Sequence, residues 1–300
     1  MLRRAFFALP LVAALPARAQ SDWRADMKEI RFGITSAEND KDAVTRFENL
    51  ARYMEARLGV KVRIYRSTDY AGTVEALAAG HLEFATMGPA SYALANKVMG
   101  DRITPIARSL DQDGSEGYYS VVVVKADSPA KSLDDLKGKS FAFADPNSTS
   151  GYAFPSFFLK KQGYDPAKFF SRTGFSGSHE LSVIAVLNGT YDAAATFWTN
   201  ERRGNVQRMT EKGMIPAGAI RIIWTSPLIP NSPWVTRTAL PEALRRDFTT
   251  ALFAMPKEDA AAWRTVSSGA AGLVAAKHED YLDVIEVVRA LDAERKRKGA

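Results

Sequence analysis

Residues 140–161 have the sequence SFAFADPNSTSGYAFPSFFLKK, and this stretch indicates the fold most clearly. Residues 140–144 form a short apolar run, which predicts a buried β-strand, and residues 152–161 have the length and composition of a helix. Between them, Asp145-Pro146-Asn147-Ser148-Thr149-Ser150-Gly151 is a polar turn. A strand, a turn and a helix in succession are typical of an α/β fold.

The turn has the chemistry of an oxyanion site. Ser148, Thr149 and Ser150 place three hydroxyls beside the unpaired backbone N–H groups of the first helical turn, where the helix dipole adds partial positive charge. A phosphate or phosphonate group fits such a set of donors. Ser, Thr, Asn and Asp are also ordinary N-cap residues, so the turn alone leaves both interpretations open.

Strand-like and helix-like segments alternate on both sides of this unit. They form two series, which predicts two α/β lobes with largely parallel sheets. The last part, residues 240–298, is predicted to be mostly helical. The predicted strands are 29–35, 60–66, 82–87, 118–125, 140–144, 172–175, 191–197 and 220–225, and the predicted helices are 42–58, 70–79, 152–162 and 180–188.

The first residues predict export. Residues 1–19 combine Arg3 and Arg4 with an apolar stretch and a small-x-small ending, as in a secretory signal peptide cleaved before Gln20. The apolar stretch is shorter than the roughly 18 residues that a transmembrane helix requires. The 300 residues include no cysteine, which excludes disulfides, thiolate metal sites and a lipid-anchored cysteine. We therefore expect a periplasmic protein without a lipid anchor.

Charge and motif spacing argue against several function classes. The formal net charge is +6, and it becomes +3 once Arg3, Arg4 and Arg18 leave with the predicted signal peptide, so nucleic-acid binding has little electrostatic support. Three scattered histidines predict no metal site. The segment at residues 174–178 lacks the Gly-x-Ser-x-Gly spacing of a hydrolase nucleophile. The sequence therefore predicts a protein that is not an enzyme and has no cofactor.

Several motifs occur over residues 30–235 in the order of a known family. The chain resembles the phosphonate-binding proteins of ABC importers, a solute-binding family for phosphate, phosphite and phosphonates. The turn at residues 145–151 and the later SPLIP at 226–230 are its most specific motifs. The others are FGI (32–34), LGVKV (58–62), DYAG (69–72), DGSEGY (113–118), KADSP (125–129), LDDL (133–136), GSHE (177–180) and IWT (223–225).

The resemblance implies a type II periplasmic binding protein, in which two α/β lobes joined by a two-segment hinge close on a ligand. It places lobe one at residues 28–119 and 227–300 and lobe two at residues 120–226, with chain crossings near 119–121 and 225–227. The implied function is capture of a phosphorus oxyanion by a monomer and its delivery to the permease of an ABC importer. Two alternatives stay open: an exported sensor that presents its closed form to a membrane receptor, and a binder of a different oxyanion or of a phosphate ester.

The resemblance also implies the ligand-binding residues. Neutral donors can hold a dianion because hydrogen bonds to a charged acceptor are roughly twice as strong as neutral ones. Without the resemblance, the same histidine and tyrosines are an ordinary first-turn helix residue and half-buried aromatics. The implied residues are Ser148, Thr149, Ser150 and His179 from lobe two and Tyr70 and Tyr118 from lobe one.

The chain departs from the family's aminoethylphosphonate-binding pattern where the amine is bound. That pattern has an acidic residue after the Ile-Pro of the hinge segment, but this chain has Asn231-Ser232-Pro233, which leaves Ser232 as the candidate contact. A second acid is expected after the strand at 191–196, where Glu201 is the candidate. A buried ammonium requires a paired carboxylate, so we expect weak or no preference for an aminoalkyl tail. Trp198 is either an apolar wall of the cleft or a core residue.

Overall fold

The computed structural model describes residues 22–35 and 40–299, with the side chains of 40–42, 298 and 299 left out. The predicted signal peptide at residues 1–19 lies outside the described residues. Within the described part of the chain, every helix is too short or too polar to span a membrane.

Most predicted elements are present in the predicted order, and the strands predicted at 172–175 and 220–225 have the predicted ends. The strands are β1 (Glu29–Ile34), β2 (Lys61–Arg66), β3 (Phe84–Thr86), β4 (Ile103–Leu110), β5 (Gly117–Lys125), β6 (Ser140–Phe143), β7 (Arg172–Phe175), β8 (Ala193–Asn200), β9 (Arg203–Gly204), β10 (Ile220–Thr225), β11 (Ile229–Pro230), β12 (Pro233–Arg237) and β13 (Gly272–Ala275). The helices are α1 (Asp40–Leu58), α2 (Tyr70–Ala78), α3 (Pro89–Met99), α4 (Phe154–Lys161), α5 (Pro166–Phe169), α6 (His179–Leu187), α7 (Asn205–Glu211), α8 (Glu242–Glu258), α9 (Ala260–Val266) and α10 (Leu282–Gly299).

The described strands form two mixed sheets. Sheet one has the order β13-β4-β12-β3-β1-β2; sheet two has the order β10-β5-β8-β6-β7, with β11 paired to β5 and β9 to β8. The expectation of largely parallel sheets is wrong: β1 is parallel to β2 and β3, and β6 to β7 and β8, but the other seven described pairs are antiparallel. Parallel neighbours require a crossover connection, and here only the βα units supply one. Strand β5, which carries the chain from one sheet to the other, is antiparallel to its neighbours β8, β10 and β11.

The C-terminal part, residues 240–298, is mostly helical, as predicted, but it also contains one strand. Strand β13 lies between α9 and α10 and pairs antiparallel with β4, from Gly272 opposite Leu110 to Ala275 opposite Ala107. Ser268 and Gly269 have positive φ values of 52° and 89°, a conformation that stops helix propagation. Four residues are too few for a period-two pattern, so the pairing with β4 determines this strand.

Aromatic packing fixes sheet one against its helices. The rings of Phe84 and Phe248 stack with centroids 3.7 Å apart, and Phe32 lies 5.4 Å from Trp234. Sheet two has its own core, in which the rings of Phe141 and Phe170 stack at 4.5 Å. Burial of each such side chain contributes about 1.5–3 kcal/mol to the stability of the fold. Both sheets therefore hold the loops at their edges in defined positions.

The chain passes between the two sheets along adjacent segments. The first residues of β5 pair with β11, and from Tyr119 onward β5 pairs with β8 in sheet two. The return segment after β10 runs beside it, because Ser226 N donates to Ser120 O at 2.8 Å and Ser120 N donates to Ser226 Oγ at 2.9 Å. The two connections are therefore coupled by hydrogen bonds.

Candidate functional site

The loop after β6 is organised by its own polar groups. Asp145 accepts a hydrogen bond from Asn147 N at 2.7 Å, and Ser148 N donates to Asp145 O at 3.0 Å. Ser148 is the N-cap of the following helix, and its Oγ accepts from Gly151 N at 3.0 Å. A hydroxyl has two acceptor lone pairs and one donor, so capping leaves the O–H group of Ser148 for another partner. The N-cap and oxyanion interpretations are therefore compatible.

A five-residue π-helical turn, Thr149–Ala153, precedes α4 and was not indicated by the sequence pattern. Ala153 N donates to Ser148 O at 3.0 Å, which gives the wider i to i+5 spacing. A Cβ atom on Gly151 would lie 2.5 Å from Ala144 Cβ and 2.8 Å from Ser148 Oγ. Only glycine therefore allows the turn to approach the end of β6 this closely.

His179, the first residue of α6, packs against this loop. Its Nε2 is 3.0 Å from Ser148 Oγ, and its Nδ1 is 3.2 Å from Thr196 Oγ1 in β8. Burial, with a smaller contribution from the charge of Arg208, lowers the pKa of His179 to about 3. The ring is therefore neutral at pH 7, with one nitrogen donating and the other accepting.

Two tyrosines lie close to the loop, one at the start of α2 and the other in β5. Tyr70, at the start of α2, lies beside the side chain of Ser148. Tyr118, at the start of β5, lies beside the side chains of Thr149 and Ser150. Loss of solvent raises the pKa of both phenols, that of Tyr118 to about 12. Both hydroxyls are therefore protonated and able to donate.

The N-terminus of α3 also contacts the loop. Ala90 N donates to Thr149 Oγ1 at 2.8 Å, and Ser91 Oγ donates to Asn147 O at 3.1 Å. Because α3 follows β3 of sheet one, these bonds connect the loop of sheet two directly to the other half of the molecule.

One cavity of about 1020 Å³ brings the predicted ligand-binding residues together. Of the three weaker candidates, Glu201 and Ser232 line the same cavity, whereas Trp198 is not among its lining residues and packs 5.8 Å from Tyr119. The six residues that the resemblance implies all line the cavity: Tyr70, Tyr118, Ser148, Thr149, Ser150 and His179.

Phe197, which precedes Trp198 in β8, is one of the aromatic residues that line the cavity, with Phe47, Tyr70, Tyr118 and Trp234. Its ring makes edge contacts with His179 at 5.2 Å and with Tyr118 at 6.4 Å between centroids. Successive strand residues point to opposite faces, so the neighbour of a cavity-lining residue turns away from the cavity. The alternation indicates that one of the two aromatics forms the wall, but the sequence does not indicate which.

A charged pair on the cavity wall has no signal in the sequence. Arg203 of β9 forms an ion pair with Asp111, the residue after β4, and both line the cavity. Arg203 Nη2 also donates to Ser267 O at 3.3 Å. Asp111 and Arg203 are 92 positions apart, so no local pattern could have paired them.

In the described part of the chain, no group of three or more His, Cys, Asp or Glu residues is arranged to hold a metal ion.

Comparison with known proteins assigns the chain to a family. The sequence profile described as "ABC transporter, phosphonate, periplasmic substrate-binding protein" matches residues 32–281. The chain belongs to this family. The match confirms the resemblance predicted from the motifs.

Relatives support the same assignment. The chain is 32% identical over 234 residues to the phosphonates-binding periplasmic protein of Escherichia coli K12, covering 77% of this chain and 66%, just under two thirds, of that protein. It is 32% identical over 225 residues to the phosphate-import protein PhnD of Mycolicibacterium smegmatis, covering 72% of this chain and 68% of that protein. The names of these two proteins specify different ligands, phosphonates and phosphate, so family membership alone does not identify the ligand.

Structural comparison supports the fold. A binding protein component of an ABC phosphonate transporter from Pseudomonas aeruginosa superposes with a TM-score of 0.76 at 27% identity, covering 86% of this chain and 85% of that chain. The α/β type II periplasmic binding protein fold predicted from the sequence is therefore confirmed.

Proposed function

We propose that this protein is a periplasmic solute-binding protein that captures a phosphonate or a related phosphorus oxyanion and delivers it to an ABC importer. The observation that supports this most strongly is the convergence of neutral hydroxyl and imidazole groups at one cavity. Those groups belong to Ser148, Thr149, Ser150, His179, Tyr70 and Tyr118.

Such a site suits a dianion with several oxygens. Each phosphonate oxygen accepts more than one hydrogen bond, and bonds to a charged acceptor are short and roughly twice as strong as neutral ones. The three loop hydroxyls are buried, so water competes weakly for them. Tyr70 and Tyr118 supply donors from the opposite side of the loop, which favours enclosure of the oxyanion rather than its attachment to one surface.

The contact between Ser148 and His179 does not support catalysis. A general base works best with a pKa near the operating pH, and that of His179 is lowered to about 3. In a catalytic triad the second ring nitrogen donates to a carboxylate, but here Nδ1 faces the hydroxyl of Thr196 at 3.2 Å. The pair therefore positions a donor for binding and does not activate a nucleophile.

We further propose that residues 28–119 and 227–300 move as one lobe and residues 120–226 as the other. The hydrogen-bonded pair Ser120 and Ser226 would lie at the hinge, where the two connections run side by side. Small-angle scattering with and without saturating methylphosphonate tests this hinge. A smaller radius of gyration with ligand is expected, and identical profiles would contradict closure.

Export and partner follow from the same proposal. Residues 1–19 would direct a monomer to the periplasm without a lipid anchor, and the permease of an ABC importer would receive the closed form. An aminoalkyl tail would add little to the binding affinity, because Ser232 offers a hydroxyl where an acidic residue is expected and Glu201 is exposed.

Isothermal titration calorimetry of the purified protein tests the ligand class. Phosphate, phosphite, methylphosphonate and 2-aminoethylphosphonate are titrated in one buffer, with sulfate as a tetrahedral anion that contains no phosphorus. Binding of at least one phosphorus oxyanion more tightly than sulfate is expected. Binding of none of them, or tighter binding of sulfate, would contradict the proposed function.

A further inference from the structure

Asp111 has an unusual position for a carboxylate. The residue is 3% exposed, and its Oδ1 accepts hydrogen bonds from Arg203 and from Gln112 N. Its Oδ2 is buried and has no hydrogen-bond partner among the described residues. Buried side-chain acceptors nearly always have a partner, so this oxygen requires an explanation.

The carboxylate is held in a fixed place on the cavity wall. Asp111 N donates to Ser115 O at 2.8 Å and Gly114 N donates to Asp111 O at 3.0 Å, which makes a tight turn directly after β4. Arg203 anchors the side chain from the other sheet. Asp111 lines the same cavity as Ser148 and Tyr118, so a ligand in this cavity lies beside the Asp111 carboxylate.

The cavity has room for more than an oxyanion. Its volume is about 1020 Å³, at the upper end of the roughly 300–1,000 Å³ typical of sites for drug-sized ligands. A ligand that occupies it fully therefore has a tail beyond the group on the loop at residues 148–150.

The charges around the cavity select the kind of tail. Among the described lining residues, six basic side chains face four acidic ones, an excess of +2 that suits a dianionic head. An ammonium at Asp111 would share one carboxylate with the guanidinium of Arg203, so a neutral donor is favoured. The basic residues are Arg46, Arg202, Arg203, Arg208, Lys212 and Arg264, and the acidic ones are Asp111, Asp113, Glu201 and Glu211.

We propose that Asp111 determines specificity: its Oδ2 accepts a hydrogen bond from a hydroxyl on the tail of an organic phosphonate or phosphate ester. This inference rests on the proposed function, because the head of the same ligand lies on the loop at residues 148–150. Asp111 binds the tail of the ligand, and Arg203 is a positioning residue that holds the Asp111 carboxylate in place.

Calorimetry with matched ligands tests this role. 2-Hydroxyethylphosphonate and propylphosphonate have the same number of heavy atoms, but only the first carries a hydroxyl. Wild-type protein is expected to bind 2-hydroxyethylphosphonate about tenfold more tightly or better, as one hydrogen bond to a charged group predicts. Equal affinity for the two ligands would overturn the inference, as would tightest binding of 2-aminoethylphosphonate.

Two variants locate the effect. The double variant Asp111→Leu/Arg203→Met removes the carboxylate with its ion-pair partner, and it is expected to lose the preference for the hydroxyl while it still binds methylphosphonate. Asp127→Asn removes an exposed charge outside the cavity and is expected to keep the preference. A preference that survives in the double variant would overturn the role of Asp111. If the double variant does not fold, the ligand pair on wild-type protein still decides.

The two proposals fail in different ways. Methylphosphonate binding without any preference between 2-hydroxyethylphosphonate and propylphosphonate leaves the proposed function in place and removes the inference about Asp111. Absence of binding by every phosphorus ligand removes both.

Discussion

The Oγ of Ser148 lies 3.0 Å from Nε2 of His179, and both side chains are buried. This contact joins the N-cap of one helix to the first residue of another, so two helix N-termini and their dipoles meet at one point. An anion at that point meets hydroxyls, a neutral imidazole and two positive helix ends. Under the proposed function, these groups together hold the oxyanion.

Loss of a loop hydroxyl should weaken ligand binding. Ser148→Ala removes one donor to a charged acceptor, and we expect it to reduce the affinity for a phosphorus oxyanion by about 1–3 kcal/mol. Calorimetry with methylphosphonate measures the change. Ser156→Ala is the matched control, because Ser156 is also buried but does not line the cavity. Equal losses in the two variants would argue against a direct role for Ser148.

Acid should destabilise the ligand-free protein through His179. The pKa of this group is about 3 in the folded protein and 6.5 in its ordinary state. Between these values the unfolded chain binds a proton that the folded protein does not. The free energy of unfolding should therefore fall as the pH drops from about 6.5 towards 3, by up to about 1.4 kcal/mol per pH unit.

Denaturant titrations at pH 7, 6 and 5 measure this dependence. His179→Gln removes the titrating group and keeps a polar side chain, so its stability should decline less steeply over the same range. Parallel curves for the variant and the wild type would show that His179 does not carry the effect.

Gly151 should tolerate no side chain. In Gly151→Ala the new Cβ would meet Ala144 Cβ at 2.5 Å and Ser148 Oγ at 2.8 Å, and we expect a loss of about 1–3 kcal/mol in stability together with weaker ligand binding. Gly272→Ala is the control, because a Cβ there meets nothing within 4 Å. Thermal unfolding of both variants decides, and an unchanged melting temperature for Gly151→Ala would contradict the packing argument.

Phe197, not Trp198, should influence the binding of alkyl tails. Phe197→Leu removes the ring that contacts His179 and Tyr118, with an expected loss of about 0.5–1.5 kcal/mol in affinity for an alkylphosphonate. Trp198→Phe should leave that affinity unchanged, because Trp198 does not line the cavity. A larger loss of affinity in Trp198→Phe than in Phe197→Leu, measured by calorimetry, would indicate that Trp198 contacts the tail.

Local patterns predicted much of the fold. Strands β7 and β10 have the predicted ends because Ser171 and Ser176 flank the first and Ser226-Pro227 follows the second. Strand β13 and the direction of the strand pairs were not predicted, because they depend on which strands meet after the chain has passed between the sheets. Pairing partners far apart in the chain leave no periodic signal.

The site was predictable in part and for two different reasons. Ser148 and its neighbours stand out because hydroxyl residues at a strand-to-helix turn have their own chemistry, whereas Tyr70 and Tyr118 came only from the family resemblance. Asp111 has no local signal, since its burial and its pairing with Arg203 arise from tertiary structure.

A crystal structure of the protein with methylphosphonate is the decisive test of the proposed oxyanion site. We expect the phosphorus group within hydrogen-bonding distance of the Ser148, Thr149 and Ser150 hydroxyls, with Tyr70 or Tyr118 as a further donor. A phosphonate bound elsewhere in the cavity, with no hydrogen bond to the loop at residues 148–150, would contradict this assignment.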